Sequence, residues 1–152
     1  MEIRPARRED LAAILALYAD LETNGQVLDL PAAESIFARM QQYPNYTVYV
    51  AVAEGQIVGA FELLIMDNLA HVGAPSGIVE DVVVHPAWRG QGIGKQMMAF
   101  ALEQCRQAGC YKLALSSNRK REAAHRFYEA LGFQKHGYSF VACLERSTAD
   151  EP

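Results

Sequence analysis

The chain has 152 residues, a formal net charge of −4 and an apolar content of about half. This length and composition predict one α/β domain, residues 1–152, with a substantial hydrophobic core. No apolar run reaches the roughly 18 residues that a membrane-spanning helix needs, and the charged start Met1–Arg4 is not a signal peptide. The net negative charge disfavours a general nucleic-acid binder. We therefore expect a soluble, cytoplasmic protein without nucleic-acid or membrane partners.

The first half of the chain predicts a strand, two helices and a β-hairpin. Apolar residues recur at helical spacing before Asn24-Gly25, and Tyr43-Pro44 ends a second apolar helix face. Alternating β-branched and aromatic residues flank the turn Glu54-Gly55-Gln56. The predicted strands are Ile3–Pro5, Tyr46–Val52 and Ile57–Met66, and the predicted helices run near 8–22 and from Pro31 onward.

The second half begins with a polar loop, 67–76, whose length is typical of functional loops. A strand, a helix and a second strand then imply one parallel pair inside an otherwise antiparallel sheet. The predicted strands are Ile78–Val84, Lys112–Ser116, Phe133–Gln134 and Ser139–Leu144, and the predicted helices end at Ala108-Gly109 and, for the helix over 120–131, at Gly132.

The three cysteines, Cys105, Cys110 and Cys143, do not make a disulfide framework, because their number is odd and Cys143 stands far from the other two. They fit reduced thiols in an intracellular protein. Because no set of Cys or His partners surrounds Cys105 and Cys110 in the sequence, we expect no zinc or other metal site.

A glycine-rich segment, Arg89-Gly90-Gln91-Gly92-Ile93-Gly94-Lys95, lies between a predicted strand and a predicted helix. Glycines let the backbone turn sharply and direct several N–H groups at one point. The helix N-terminus adds about half a positive charge. The segment therefore predicts a site for a phosphate or diphosphate.

Three phosphate-binding motifs compete with a plain glycine-rich turn. A P-loop needs four residues between its glycines and a hydroxyl after the lysine, but three residues separate Gly90 from Gly94, and Gln96 follows Lys95. A dinucleotide-binding motif needs a different glycine spacing and an acidic residue on the next strand, which is absent here. The R-x-x-G-x-G pattern and the plain turn remain.

Two segments resemble the GNAT superfamily of N-acetyltransferases. Val82–Gly94 is similar to the family's acetyl-CoA motif, in which a strand is followed by x-P-x-x-R-G-x-G-x-G and a helix. His125–Phe133 is similar to the family's ending x-x-F/L-Y-x-x-x-G-F. The resemblance implies a mostly antiparallel sheet with a central parallel strand pair flanked by helices, acetyl-CoA as co-substrate, and the homodimer common in the family.

The stretch between these segments departs from the pattern of many members, which have an Asn seven residues before the Tyr. Arg121 occupies that position, and the nearest Asn is Asn118. The string Ser117–Tyr128 looks more like the aminoalkylphosphonate branch, whereas Glu80–Val84 and Gly109–Lys112 are similar to glucosamine-phosphate acetyltransferases. The departure disfavours transfer to protein N-termini and leaves the role of the Asn118 side chain open.

The resemblance also implies which residues contact coenzyme A. They belong to the end of a strand, the glycine-rich loop and the last helix: Val82, Val83, Val84, Arg89, Gly90, Gln91, Gly92, Ile93, Gly94, Lys95, Asn118, Ala124, Phe127 and Tyr128.

An alkyl amine with a pKa of about 10.4 is mostly protonated at pH 7, so the acceptor needs a base. Glu80 and Asp81 interrupt an apolar strand and are the candidates. Because consecutive strand residues face opposite sides, we expect only one of them in the acceptor cleft. Resemblance to the sugar-amine enzymes favours Glu80. The alternative is a strand-end carboxylate with a structural partner.

Two further groups complete the predicted chemistry of direct transfer in a ternary complex. As the resemblance implies, the backbone N–H of Val83 or Val84 stabilises an oxyanion, and Tyr128 protonates the leaving thiolate. A covalent cysteine route is disfavoured, because no activating base stands beside a thiol in the sequence.

The acceptor is expected to be the primary amine of a small molecule. An amino-sugar phosphate, an antibiotic or a polyamine is the alternative, as is a coenzyme A-binding module without catalysis. Four basic residues either hold an anionic substrate group or are merely solvated: His71, Arg119, Lys120 and Arg121.

Overall fold

The computed structural model describes residues 1–21, 25–142 and 144, and the chain divides into two compact units, Met1–Leu115 and Ser116–Pro152. The elements of the first unit are β1 (Glu2–Pro5), α1 (Leu11–Tyr18), α2 (Leu30–Met40), β2 (Tyr46–Ala53), β3 (Gln56–Met66), β4 (Ser76–Val84), α3 (Ile93–Gln107) and β5 (Lys112–Leu115). The second unit contains α4 (Glu122–Ala130).

The five strands form one sheet in the order β1-β2-β3-β4-β5. The first four are antiparallel neighbours, whereas β4 and β5 are parallel, with Ser76–Val79 opposite Lys112–Leu115. The predicted mixed sheet with one parallel pair is therefore confirmed. The pair follows from the crossover through α3, because a strand–helix–strand connection returns the chain in the same direction.

Helices cover both faces of the sheet. On one face, Val50 and Ala60 pack with Leu17 of α1 and Phe37 of α2. On the other face, Phe61 stacks on Tyr49 and meets Phe100 of α3 edge to face. Each fully buried large side chain contributes about 2 kcal/mol by its removal from water. Two buried faces explain why β2 and β3 are apolar along most of their length.

Close contact between α3 and the sheet depends on small residues. A Cβ atom on Gly59 would lie 2.9 Å from the Met97 sulfur, and one on Gly77 would lie 2.3 Å from the Cys105 sulfur. Both glycines therefore allow α3 to approach the sheet more closely than any larger residue would.

The helix predicted over 8–22 is divided in the structure. A 3-10 turn over Arg8–Asp10 precedes α1, which ends at Tyr18; Asn24, the predicted stop, lies outside the described residues. The helix expected after Pro31 is confirmed as α2, whose N-cap Asp29 accepts a hydrogen bond from the Ala32 N–H at 2.8 Å. Of the helices in the described ranges, none combines the length and apolar character needed to cross a bilayer.

The two last predicted strands are wrong wherever the structure describes them. Phe133–Gln134 and the described residues of Ser139–Leu144 have no strand pairing, and Cys143 lies outside the described residues. Tyr138 and Phe140 are almost fully exposed, at 91 % and 92 %. The alternating pattern that predicted a strand thus has no buried face here, and burial normally stabilises such a pattern.

A partly buried ion pair joins β1 to the turn before α1. The Asp10 carboxylate accepts hydrogen bonds from both terminal nitrogens of Arg4, at 2.7 and 3.0 Å, and from the Arg7 N–H at 2.8 Å. The Arg4 hydrogen bond holds the pKa of the Asp10 carboxyl below its usual value, against the opposing effect of burial. The bidentate geometry fixes where α1 begins relative to the sheet.

We expect Asp10→Asn to lower the free energy of unfolding by about 2–3 kcal/mol at pH 7, because Arg4 would lose its buried counter-charge. A depressed native pKa stabilises the fold above the unfolded value of about 4, and this contribution is lost as the pH falls through the native pKa. Urea unfolding at several pH values should show a constant deficit at neutral pH that disappears in acid. Glu34→Gln, which breaks an exposed pair with Arg8, should cost less than about 1 kcal/mol.

Candidate active site

A β-bulge interrupts β4 where the two candidate bases lie. Glu80 stands opposite Glu62 and Val83 stands opposite Ala60, so two residues of β4 oppose the single residue Phe61 of β3. Asp81 within this bulge has a φ of 50°, in the left-handed region that Asp tolerates better than most residues. The two acidic residues Glu80 and Asp81 therefore lie at a β-bulge of β4.

The bulge breaks the strict alternation on which the expectation of a single carboxylate in the acceptor cleft was based. Strict alternation would hide either Glu80 or Asp81, but both side chains are exposed. Burial of part of each group raises the pKa of the Glu80 and Asp81 carboxyls, and the charge of Asp81 raises that of Glu80 further. Both carboxylates are therefore accessible to a ligand.

A third carboxyl group, Glu62, lies on the same face and was not predicted from the sequence. It is only 8 % exposed, and the Tyr46 hydroxyl donates a hydrogen bond to it. Burial raises the pKa of Glu62, and repulsion from Asp81 and Glu80 adds to the effect. The available signal was an acid inside the apolar run of β3, which a buried strand rarely carries without a role.

The Tyr18 side chain of α1 completes this group. Its buried hydroxyl makes no hydrogen bond of good geometry in the described part of the chain. Burial raises the pKa of Tyr18, with further effects from the charges of Glu62 and Asp81. We call Tyr18, Tyr46, Glu62, Glu80 and Asp81 the acidic cluster. None of the ion pairs among the described residues involves its carboxylates, and no described His, Cys, Asp and Glu side chains are grouped to hold a metal ion.

The strand β4 continues past its parallel partner. Pairing with β5 ends at Val79 opposite Leu115, whereas β4 runs on to Val84. The His85 N–H donates to the Val58 carbonyl at 2.8 Å, so the alternation of an antiparallel ladder turns the N–H and C=O of Val84 away from β3. The Val83 N–H faces β3 instead. Of the two predicted oxyanion donors, the geometry thus favours Val84.

The glycine-rich loop requires glycine for conformation rather than for space. Gly90 and Gly92 have φ values of 76° and 82°, and a Cβ atom at either position would meet nothing within 4 Å. Residues with side chains rarely adopt such φ values. The backbone of the loop therefore lies open on the side where these glycines lack side chains.

The N-terminus of α3 presents unsatisfied N–H groups. Gly92 is its N-cap and has no side-chain cap, and the first intrahelical bond joins the Gln96 N–H to the Gly92 carbonyl at 3.1 Å. The amides of the preceding turn, including Ile93, Gly94 and Lys95, have no acceptor within the helix. Buried Ile93 anchors this end to the core, whereas Lys95 is exposed. The arrangement fits an anion.

The Arg89 side chain holds the loop rather than pointing freely at a ligand. Its Nε donates to the Val84 carbonyl at 3.1 Å, and a terminal nitrogen pairs with Asp20 at 2.6 Å. The Gln91 amide donates to the Ala87 carbonyl at 3.1 Å. The side chains of Arg89 and Gln91, both predicted to contact the cofactor, therefore form hydrogen bonds within the protein.

In the second unit, α4 carries the other predicted residues on one face. Tyr128 is half-buried between Phe127 and Phe133, at centroid distances of 5.1 and 5.8 Å, and Ala124 lies one turn earlier. Burial raises the pKa of the Tyr128 phenol, whereas the charge of Arg121 lowers it. The phenol therefore keeps its proton at neutral pH and can donate it.

Asn118 forms the turn before α4. Its side-chain oxygen accepts a hydrogen bond from the Lys120 N–H at 2.9 Å, and its backbone carbonyl accepts one from the Arg121 N–H at 2.9 Å. The side chain is thus partly occupied by the turn, which agrees with the departure from the family pattern at this point.

Residues 12–133 match the Acetyltransferase (GNAT) family. The chain belongs to this family. It is an acyltransferase, and the family's N-acetyltransferases act on amines.

Relatives and a solved structure agree with this assignment. The chain is 37 % identical to the aminoalkylphosphonate N-acetyltransferase of Salmonella typhimurium, over 94 % of this chain and 91 % of the relative. It is 33 % identical to the glucosamine 6-phosphate N-acetyltransferase of Trypanosoma brucei brucei, over 90 % of each. A solved structure from Agrobacterium tumefaciens str. C58, assigned as an acetyltransferase, superposes with a TM-score of 0.90 at 34 % identity, over 95 % of this chain and 100 % of the other.

Proposed function

We propose that this N-acetyltransferase uses acetyl-CoA and transfers the acetyl group directly to the primary amine of a small molecule within a ternary complex. The observation that carries the proposal is the uncapped N-terminus of α3 behind Gly90 and Gly92, which follows the unpaired end of β4. Free amides suit a diphosphate, and an unpaired strand edge can pair with the amide groups of a pantetheine arm.

Two sets of residues are proposed to contact coenzyme A. The amides of Gly92, Ile93, Gly94 and Lys95 would hold the diphosphate, with Arg89 and Gln91 keeping the loop in shape. The end of β4, Val82–Val84, would line the arm. The face of α4 with Ala124, Phe127 and Tyr128 is the proposed second set, joined by the turn at Asn118.

The acceptor must lose a proton before it attacks the thioester. Recovering a neutral amine at pH 7 costs on the order of 4–5 kcal/mol for an amine with a pKa near that of lysine. An exposed carboxylate of raised pKa lowers this cost by accepting the proton. Glu80 is the proposed base, because its side chain is an exposed member of the acidic cluster and its position resembles that of the base in the sugar-amine enzymes.

Two groups would stabilise the charges that develop during transfer. The Val84 N–H points away from β3 and would donate to the carbonyl oxygen of the thioester as it gains negative charge. The Tyr128 phenol is protonated at neutral pH and would donate its proton to the departing thiolate.

The names of two relatives support the proposed acceptor class. An aminoalkylphosphonate is the proposed acceptor, and an amino-sugar phosphate is the second candidate because the relative at 33 % identity acetylates one. The basic run Arg119–Arg121 would hold the anionic group of either substrate. We further propose a cytoplasmic homodimer.

Turnover with acetyl-CoA and a panel of amines tests the proposal. The panel contains 2-aminoethylphosphonate, glucosamine 6-phosphate, an aminoglycoside, spermidine and a peptide with a free N-terminus, and the measurement is thiol release. We expect the highest kcat/KM for 2-aminoethylphosphonate. Coenzyme A binding without turnover of any amine would instead favour a non-catalytic binding module, and preference for the peptide would contradict the acceptor class.

We expect Tyr128→Phe to lower kcat about a hundredfold, because the thiolate would leave without a proton donor. The KM for acetyl-CoA should change little, since the ring and its packing remain. Tyr138→Phe, which removes the hydroxyl of an exposed tyrosine in the same unit, should behave like the wild type. Full activity of the Tyr128→Phe enzyme would exclude the phenol as the acid.

Substitution of each carboxylate by its isosteric amide distinguishes the two candidate bases. We expect Glu80→Gln to lower kcat/KM for the amine about a hundredfold, and Asp81→Asn to have a smaller effect, because Asn also tolerates the left-handed conformation of the bulge. Steady-state kinetics should include Glu54→Gln in the exposed β2–β3 turn as control. A larger loss for Asp81→Asn would reverse the assignment.

A further inference from the structure

The acidic cluster concentrates negative charge on one face of the sheet. Glu62, Glu80 and Asp81 lie within electrostatic reach of one another, and no ion pair among the described residues neutralises them. Isolated buried charge is costly, so such a cluster retains a proton or gains a cation. The question is which group holds the proton when no amine is bound.

Burial and the neighbouring negative charges favour Glu62 as the group that holds it. Its side chain is nine-tenths buried, whereas Glu80 and Asp81 are exposed and better hydrated. Burial penalises the ionised form most where the group is driest. Burial, with repulsion from the other two carboxylates, raises the pKa of Glu62, while the Tyr46 hydrogen bond opposes this rise.

Among the residues that the structure describes, the groups that affect the Glu62 carboxyl are two phenols and two carboxylates. Tyr18 faces it from α1, Tyr46 from β2, and the two carboxylates from β4. The α2 residue in the hydrophobic core on this face of the sheet is Phe37, which carries no charge. Both phenols have raised pKa values, chiefly through burial, and therefore stay neutral beside the carboxyl.

We propose that Glu62 is a positioning residue that releases its proton to solvent when the ammonium group of the acceptor binds beside Glu80 and Asp81. The bound ammonium balances the charge of the two exposed carboxylates. It thereby removes the repulsion that, together with burial, favours neutral Glu62, while the Tyr46 hydrogen bond continues to favour the ionised form. The inference rests on the proposed function, because it requires an amine at this site.

The proton balance is simple. Neutral Glu62 and a free ammonium ion become ionised Glu62, a bound ammonium ion and one proton in solution. No covalent bond other than the O–H bond of Glu62 is broken. The ammonium later gives its own proton to Glu80 in the transfer step, so the two protons leave from different groups at different stages.

This exchange gives amine binding a defined pH dependence. While Glu62 is protonated in the free protein, affinity for the amine rises with pH, by up to about tenfold per unit for one released proton. Once the pH exceeds the raised pKa of Glu62, no proton remains to be released and the affinity levels off. A permanently neutral residue at this position would show neither behaviour.

The experiment measures proton release by titration calorimetry in two buffers of different ionisation enthalpy. The probe is 2-aminoethylphosphonate with saturating coenzyme A, so that no acetyl group is transferred. We expect the wild type to release up to one more proton per bound amine than Glu62→Gln. Comparing the two removes the ionisation of the probe itself. Glu54→Gln should match the wild type.

Steady-state kinetics over the same pH range supplies a second readout. We expect Glu62→Gln to raise the KM for the amine about tenfold on the alkaline plateau and to change kcat much less. Tyr46→Phe removes a hydrogen bond that favours ionised Glu62. We therefore expect the pH at which the amine affinity levels off to be higher in this variant. Thermal melting of each variant verifies that it is folded.

The outcomes separate this inference from the proposed function. Equal proton release by the wild type and folded Glu62→Gln would overturn it, as would loss of all turnover in Glu62→Gln, which would make Glu62 the base itself. An unchanged pH profile in Tyr46→Phe would also contradict it. Failure of the wild type to acetylate any amine would refute the proposed function instead.

Discussion

The candidate site depends on how β4 is paired along its length. β4 is held on both sides as far as Val79 and on one side only beyond it, and the bulge at Asp81 begins just after that point. A strand held by two neighbours cannot offer its backbone to a ligand, because its N–H and C=O groups are already bonded. The loss of β5 as a partner frees the edge, and the bulge re-aims the side chains beside it.

The same bulge organises the charges of the site. By adding a residue to β4, it turns two consecutive carboxylates outward, next to a third on β3. Apolar side chains pack α1 against this face of the sheet. This packing places Tyr18 of α1 near Glu62 and Asp81. Hydrophobic packing thus buries the inner end of the acidic cluster at Glu62, whereas Glu80 and Asp81 stay exposed at its outer end.

Much of the architecture could be predicted from the sequence, because hydrophobic periodicity and turn residues report on local structure. The parallel pair, the hairpin at Glu54-Gly55 and α2 with Pro31 in its first turn all follow from such patterns. The bulge could not, since a single positive φ at Asp81 depends on the neighbouring strand. The prediction of the last two strands was wrong for a related reason. An alternating pattern around Tyr138 forms a strand only if a partner strand and a hydrophobic core are available to it.

The site was predicted less completely. The glycine-rich loop was evident because glycine spacing reports directly on backbone conformation, and Gly90 and Gly92 have the positive φ values that such spacing indicates. Glu62 and Tyr46 are far apart in sequence and become partners only through the register of β2 and β3. A pairing of that kind leaves no mark on local sequence beyond one acid in an apolar strand.

The ion pair between Arg89 and Asp20 affects how strongly the glycine-rich loop can bind an anion. Arg89 connects the loop to the carbonyl at the end of β4 and to the residue just past α1. A free loop would lose conformational entropy on closing around an anion, whereas a tethered one has lost much of it during folding. Because this ion pair is exposed, it weakens as ionic strength rises. Salt would then loosen the loop as well as screen an anion, so the affinity of this loop for any anion should fall more steeply with salt than the anion's charge alone would require.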